Sequence, residues 1–421
     1  MRVLLIHSSD FGRGGAILAM NRLHLGLRKA GVDSRIFCRH KKLESDDSIA
    51  FPQSYLLNKI EGRLGQVTRW LGLNDLHNLS TFLITKTQAY QTADVLDFHG
   101  VHTGFFNYFA FPSLTAHKPA VLTLHDMWLL TGHCAFSFNC ERWKAGCGKC
   151  PDLNLYPAVR RDNTRLEWKF KDWVYNHSRF AIVTPSKWLA DLAKQSMLSR
   201  FAIHQIPYGI DTEVFRPLGR EQCRLVLGIP SNKNVLLFSA MKLSQSEGDR
   251  KGGDLLLKAL HSLPASLKAE TVLLLVGDRG EALARATGMD TLSLGYVESD
   301  HFRAIAYSAA DLFLLPTRAD NFPLVSLESQ ACGTPVVAFR VGGVPEQVRP
   351  GITGFLAEPE NTAQFSSGIL QLLEDSSLRD EFGRQGRAVV VEEYSLDVQV
   401  RRYSSLYRQL LGSTGETGKK S

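Results

Sequence analysis

Two carboxylates and a pair of cations form the constellation in this chain most suited to chemistry. Asp320 and Glu328 lie eight residues apart in the stretch from Pro316 to Pro335, and Arg250-Lys251 stand directly before Gly252-Gly253. Pro323 suits the first turn of a helix, where a missing N–H costs nothing. Gly333 suits the position after a helix end, and Pro335 prevents continuation. The spacing therefore predicts a short helix from about Pro323 to Cys332. Its first N–H groups, on Leu324 and Val325, and the positive end of its dipole would make an anion site. A diphosphate at that helix end, with a sugar near Asp320 and a ribose near Glu328, fits the spacing. Lys242, Arg250 and Lys251 are the cations that could offset charge on a departing diphosphate. The plain structural alternative is a capping aspartate, a solvated glutamate and a solvated basic loop.

Further candidates lie in the first half. Asp10-Phe11-Gly12-Arg13-Gly14-Gly15 closes an apolar run and opens a helical one. Adjacent glycines let a backbone approach a ligand, although the G-x-G-x-x-G dinucleotide fingerprint is absent. His125 follows the run Val121-Leu122-Thr123-Leu124 and would sit at a strand end, with His99 and His102 as weaker neighbours. Cys134, Cys140, Cys147 and Cys150 fall within 17 residues. Four thiolates so spaced can close a structural zinc site; a reduced, packed loop is the alternative.

These residues need elements to hold them. Short, continuous apolar runs recur at 3–6, 95–98, 121–124 and 181–184, and again at 235–238, 272–276, 312–315 and 335–338. Unbroken apolar runs mark strands covered on both faces, as in parallel sheets flanked by helices. The pattern occurs twice, so the expected fold is α/β, two doubly wound Rossmann-like domains with a ligand cleft between them. Expected boundaries are 1–208, with a cysteine-rich insertion at 132–151, then 209–395, a last helix at 396–412 returning to the first domain, and a disordered tail at 413–421. With 421 residues and 44% hydrophobic content the chain is long enough for two cores.

The stretch Asp320 to Ala338 resembles the signature of the retaining glycosyltransferases of family 4, which have the GT-B fold. The family usually has Glu where this chain has Asp320, and often Gly where it has Pro323. The resemblance implies that Glu328 bonds the ribose, that Asp320 and His125 approach the donor sugar, and that Lys251 and Arg250 face the diphosphate. It implies that Gly14 and Gly15 approach donor phosphate and acceptor, and that Asn321, Phe322, Leu324 and Val325 line the donor site. Gly342-Gly343 also resembles a recurrent family loop, read mainly as a tight turn. The implied reaction is transfer from an NDP-sugar with retained configuration and no catalytic metal. The insertion after His125-Asp126 resembles that of a subgroup working in exopolysaccharide assembly, including colanic-acid-type pathways. That implies a polysaccharide or lipid-linked glycan acceptor.

Charge points the same way. Residues 1–210 hold 26 Lys and Arg against 16 Asp and Glu, while the rest is slightly acidic. A basic half suits an anionic partner, either a lipid surface or a phosphorylated acceptor. Leu57, Ile60, Leu64, Val67 and Leu71 recur at helical spacing beside Lys59, Arg63, Arg69 and Trp70. This predicts an amphipathic basic helix, facing either a core or an inner-membrane surface. No apolar run is long enough to span a bilayer and no signal peptide opens the chain, so a cytoplasmic, at most peripheral, location is expected. Nucleic acid is not an expected partner. The rival readings are a nucleotide-sugar epimerase of the same architecture and a non-enzymatic polyanion binder.

Overall fold

The computed structural model describes the backbone of residues 1–417 apart from 74 and 103, and side chains to 412. The chain falls into two compact units: Met1–Pro207 together with the chain from Gln399 onward, and Tyr208–Val398.

The first unit is built on a parallel sheet of β1 (Arg2–Ser9), β2 (Asp33–His40), β3 (Ser48–Ala50), β4 (Val95–His99), β5 (Ala120–Thr123), β6 (Ala181–Thr184) and β7 (Ala202–Gln205), in spatial order 3-2-1-4-5-6-7. The second has β8 (Asn234–Lys242), β9 (Thr271–Asp278), β10 (Asp290–Ser293), β11 (Leu312–Leu315), β12 (Val336–Phe339) and β13 (Gly354–Ala357), in order 10-9-8-11-12-13, again all parallel. In both sheets the order reverses beside the first strand, between β1 and β4 and between β8 and β11. Open parallel sheets bind ligands at the carboxyl ends of the strands flanking such a switch point.

All eight apolar runs form strands. Of the five unanticipated strands, β13 is a short apolar run after a glycine, and the others have polar or half-covered sequences. Edge strands β7 and β10 each have two exposed and two half-buried residues, and β2 carries Asp33, Arg35 and Arg39. Each sheet has its own core: Phe98, Phe106, Phe111 and Trp128 anchor the first, and Phe238, Leu256, Leu314 and Phe365 the second.

The last helix spans Leu396–Thr417. It extends to Thr417, five residues beyond the expected end; residues 418–421 lie outside the described residues. Tyr403 and Tyr407, fully buried in the first unit, bond Thr123 and Asp97.

Candidate active site

The second unit gathers its chemistry at the switch point. The loop after β8 carries Arg250 and Lys251, and the loop after β11 carries Asp320. Lys251 Nζ donates to Asp320 Oδ2 at 2.6 Å; Arg250 Nη1 lies 3.5 Å from the same oxygen and donates to the Ala319 carbonyl at 2.8 Å. Burial works against the Asp320 charge. Lys251, Arg250 and the Asn321 N–H outweigh it and hold the carboxyl below its usual range. The Lys251 ammonium is also pulled down, by burial first, with Asp320 opposing and Arg250 adding to the drop. The two directions differ in what they say of the pair. The contact distance supports the Asp320 direction, that of a charge-assisted ion pair.

Backbone geometry fixes these loops. Gly252 has φ +73°, and a Cβ there would lie 1.8 Å from the Pro316 carbonyl oxygen; one on Gly342, at φ +53°, would lie 2.0 Å from that of Asp320. The Gly343 N–H donates to the Asp320 carbonyl. The Gly342-Gly343 turn is thus a support for Asp320, a role that the sequence reading did not give it. Arg318 locks the same loop by a two-pronged bond to Asp254, both arms at 2.7 Å, and its backbone N–H donates to the Arg250 carbonyl.

The expected helix runs Leu324–Ala331 with Pro323 as N-cap and no side chain capping it. The N–H groups of Leu324 and Val325 therefore open its N-terminus, though Leu324's side chain is buried. Phe322 points inward, edge-on to Tyr208 and Tyr394, so its side chain serves packing. Asn321 is likewise buried. Glu328 is fully buried, accepting from Tyr307 Oη at 3.0 Å with Arg303 Nη1 at 3.6 Å. This replaces the solvated-glutamate alternative with an internal carboxylate held by two residues of the helix Asp300–Ala309. Lys242 is exposed at the end of β8.

In the first unit the switch point collects imidazoles. His7 ends β1, His99 ends β4, and His125 follows β5. His99 Nδ1 and His125 Nε2 are 3.1 Å apart, and His99 Nε2 stands 3.3 Å from the buried Asp97. Burial, then His99, drives His7 down to about 3; burial and the same neighbours hold His125 well below its ordinary value, so both are neutral. His102 is the exception. Burial opposes its charge, but Asp126, 2.8 Å away, raises it above the usual value. The loop holding His125 and Asp126 is pinned from behind. Buried Lys171 donates to the carbonyls of Trp128 and Thr131, and Tyr175 to that of Leu129. Gly14 caps the helix α1 (Gly15–Lys29) at φ +123°, and Gly14 and Gly15 both face open space.

The four clustered cysteines are all free thiols. No group of three or more His, Cys, Asp or Glu side chains among the described residues is placed to hold a metal. Cys147 Sγ accepts the Gly132 N–H, Cys150 Sγ lies on the Asp152 carbonyl and His133, and burial pushes the Cys134 thiol up to about 12. Burial likewise raises the Cys147 thiol to about 11 and lifts that of Cys150.

Residues 13–214 match the family model described as Glycosyltransferase Family 4, and residues 220–389 that of Glycosyl transferases group 1. Each of the two stretches is thus similar to a glycosyltransferase family. The chain is 35% identical over 187 residues to D-inositol 3-phosphate glycosyltransferase 1 of Catenulispora acidiphila, covering 41% of this chain and 44% of that protein. It is 33% identical over 220 residues to the D-inositol 3-phosphate glycosyltransferase of Mycobacterium leprae, covering 48% of each. The matches thus span less than half of these relatives. Among solved structures it resembles sucrose-phosphate synthase from Thermosynechococcus elongatus, at TM-score 0.72 and 20% identity over 98% of this chain and 99% of that one. It also resembles an Anabaena protein in complex with UDP-glucose, at TM-score 0.68 and 17% identity over 97% of this chain and 100% of that one. At these identities the structures establish the shared GT-B glycosyltransferase fold of two Rossmann-like domains.

Proposed function

We propose that this chain transfers a sugar from an NDP-sugar to a hydroxyl of a polysaccharide or lipid-linked oligosaccharide, retaining anomeric configuration and needing no catalytic metal. The observation that carries the reading is the Lys251–Asp320 pair, with Arg250 beside it, next to an uncapped helix N-terminus at the β8–β11 switch point. Cations and helix amides at one place suit a diphosphate whose charge grows as it leaves. In the proposed step the bond from the anomeric carbon to the phosphate oxygen breaks, and the acceptor oxygen bonds that carbon. The hydroxyl proton passes to the departing phosphate, so no enzymic nucleophile is required. Lys251 and Arg250 hold the diphosphate, and Asp320 trades its Lys251 contact for a donor-sugar hydroxyl. His125, kept neutral, accepts or donates one hydrogen bond to the sugar. Glu328 reaches the ribose once Tyr307 yields. The cysteine-bearing loop and the basic N-terminal unit support an exopolysaccharide acceptor presented at the cytoplasmic face of the inner membrane.

The test is a thermal-shift panel of UDP-, GDP- and ADP-sugars, because a ligand at about 100 times its Kd adds roughly 2.7 kcal/mol. One donor class should stabilise the protein, and Lys251→Ala should weaken that donor roughly 10- to 100-fold. Transfer should survive EDTA. A protein that no donor stabilises, or a Lys251→Ala variant with unchanged donor affinity, ends the reading.

A further inference from the structure

The helix α2 (Tyr55–Trp70) is attached to the first unit by the wrong face for a soluble protein. Its buried residues are Glu61 and Gly65. Glu61 accepts from Arg39 at 2.5 Å and from the Ser80 N–H at 2.6 Å, and this ion pair anchors the helix. The apolar residues stay outside. Leu56 is 67% exposed and Val67 53%, with Ile60 and Leu64 between them also exposed. Residues 56, 60, 64 and 67 fall within one strip of the helix surface. The expectation of a core-facing helix therefore fails, because the anchoring contact is polar.

Lys59 and Arg63 border the strip, and Arg69 is also exposed. Glu61, the helix's one acid, is turned inward, so the exposed surface of α2 carries cations and no anion. Half-exposed Trp70 closes the strip, with the Arg161 guanidinium 3.5 Å from its ring centroid. An apolar row flanked by cations and ended by tryptophan is the composition of a helix lying in a lipid interface. No helix among the described residues is long and apolar enough to cross a membrane, so contact through α2 would be peripheral. Pairing of two copies by this face is disfavoured, since a twofold contact would set Lys59 and Arg63 against their own images.

We propose that α2 is a membrane-docking surface whose partner is an anionic lipid bilayer: Leu56, Ile60, Leu64 and Val67 enter the acyl boundary, and Lys59 and Arg63 meet the headgroups. The inference makes specific the membrane contact proposed above but does not depend on the transfer reaction, because binding to vesicles requires neither donor nor acceptor.

The experiment is co-sedimentation of the full chain with vesicles of phosphatidylethanolamine containing about 30 mol% phosphatidylglycerol, against pure phosphatidylcholine vesicles. Binding to the anionic vesicles is expected, weakening about fivefold for each of Lys59→Gln and Arg63→Gln, whereas Arg69→Gln, on the Gly65 side of the helix, should change it little. Leu56→Ser with Val67→Ser should weaken it at least as much. These positions are exposed, so circular dichroism and melting temperature should be unchanged, which separates docking from folding. Three results would overturn the inference: no binding to anionic vesicles, equal binding by the wild type and both variant sets, or a concentration-dependent dimer abolished by the serine variant. Failure here with donor stabilisation intact leaves the donor site standing; the reverse result separates the two in the other direction.

Discussion

At the residue scale, Glu328 shows how a legible site residue can have an illegible environment. Its spacing from Asp320 was readable, because both lie on one short segment with clear helix start and stop signals. Its partners were not. Tyr307 and Arg303 sit on a helix that precedes it by more than five turns, and only the sheet brings the two helices together. A buried carboxylate left without a donor loses far more than an exposed one. Tyr307→Phe should therefore cost the second unit about 1–3 kcal/mol, visible as a drop of several degrees in its thermal transition. Wild-type melting would show that the hydroxyl is dispensable to Glu328. The cysteines teach the converse lesson. Four thiols close in sequence also lie near enough to act on one another, yet turns such as Gly146–Lys149, with left-handed φ at Cys147 and Lys149, set where each sulfur points.

At the element scale, strand sequences were readable in proportion to their burial. β1, β4, β5, β6, β8, β9, β11 and β12 have central stretches covered on both faces that are largely apolar, Asp97 apart; β7 and β10 are edges, half in water, and carry no such constraint, and buried β13 offers only the short run Phe355–Ala357. The loops after those strands were read for their chemistry but not for their supports. Gly342 is the clearest case. Alanine there would put a Cβ against the Asp320 carbonyl at a positive φ, so the Asp320 loop must move. Gly342→Ala is expected to weaken donor binding about as much as Lys251→Ala, roughly 10-fold or more, whereas Gly351→Ala, positive in φ but open around its Cβ, should spare it. Equal donor affinity in both variants would remove the turn from the site.

The loop after β5 gives a pH test. The His102 value is raised in the folded state, so its pairing with Asp126 contributes stability fully below the unfolded value of 6.5 and loses it as pH rises through the folded value. His102→Asn should thus be destabilising at about pH 6 and much less so at about pH 9, read by urea unfolding at both. A pH-independent difference would mean that the ring serves packing alone, against Trp128.

At the scale of the whole molecule, the chain leaves the first unit at Pro207 and re-enters it at Gln399. A last helix returning to the first domain is the expectation from the sequence; nothing in its composition says which residues hold it there. Two tyrosines decide it. Tyr407 Oη donates to Asp97 at 2.6 Å, and Thr123, which donates to the same carboxylate at 2.9 Å, also lies 3.2 Å from Tyr403 Oη. Asp97 is fully buried in the middle of β4, two residues before His99. Its carboxyl group is therefore held by a helix drawn from the far end of the chain, 3.3 Å from His99 Nε2. Tyr407→Phe should cost the first unit about 1.5–3 kcal/mol, the range for a hydrogen bond to a charged group. The loss should be local. Hydrogen–deuterium exchange should speed up in β4 and β5 while β8 and β11 keep wild-type protection, and donor-induced stabilisation of the second unit should be unchanged. Protection lost equally from both sheets would mean that the last helix supports the molecule as one body rather than completing the first sheet's core.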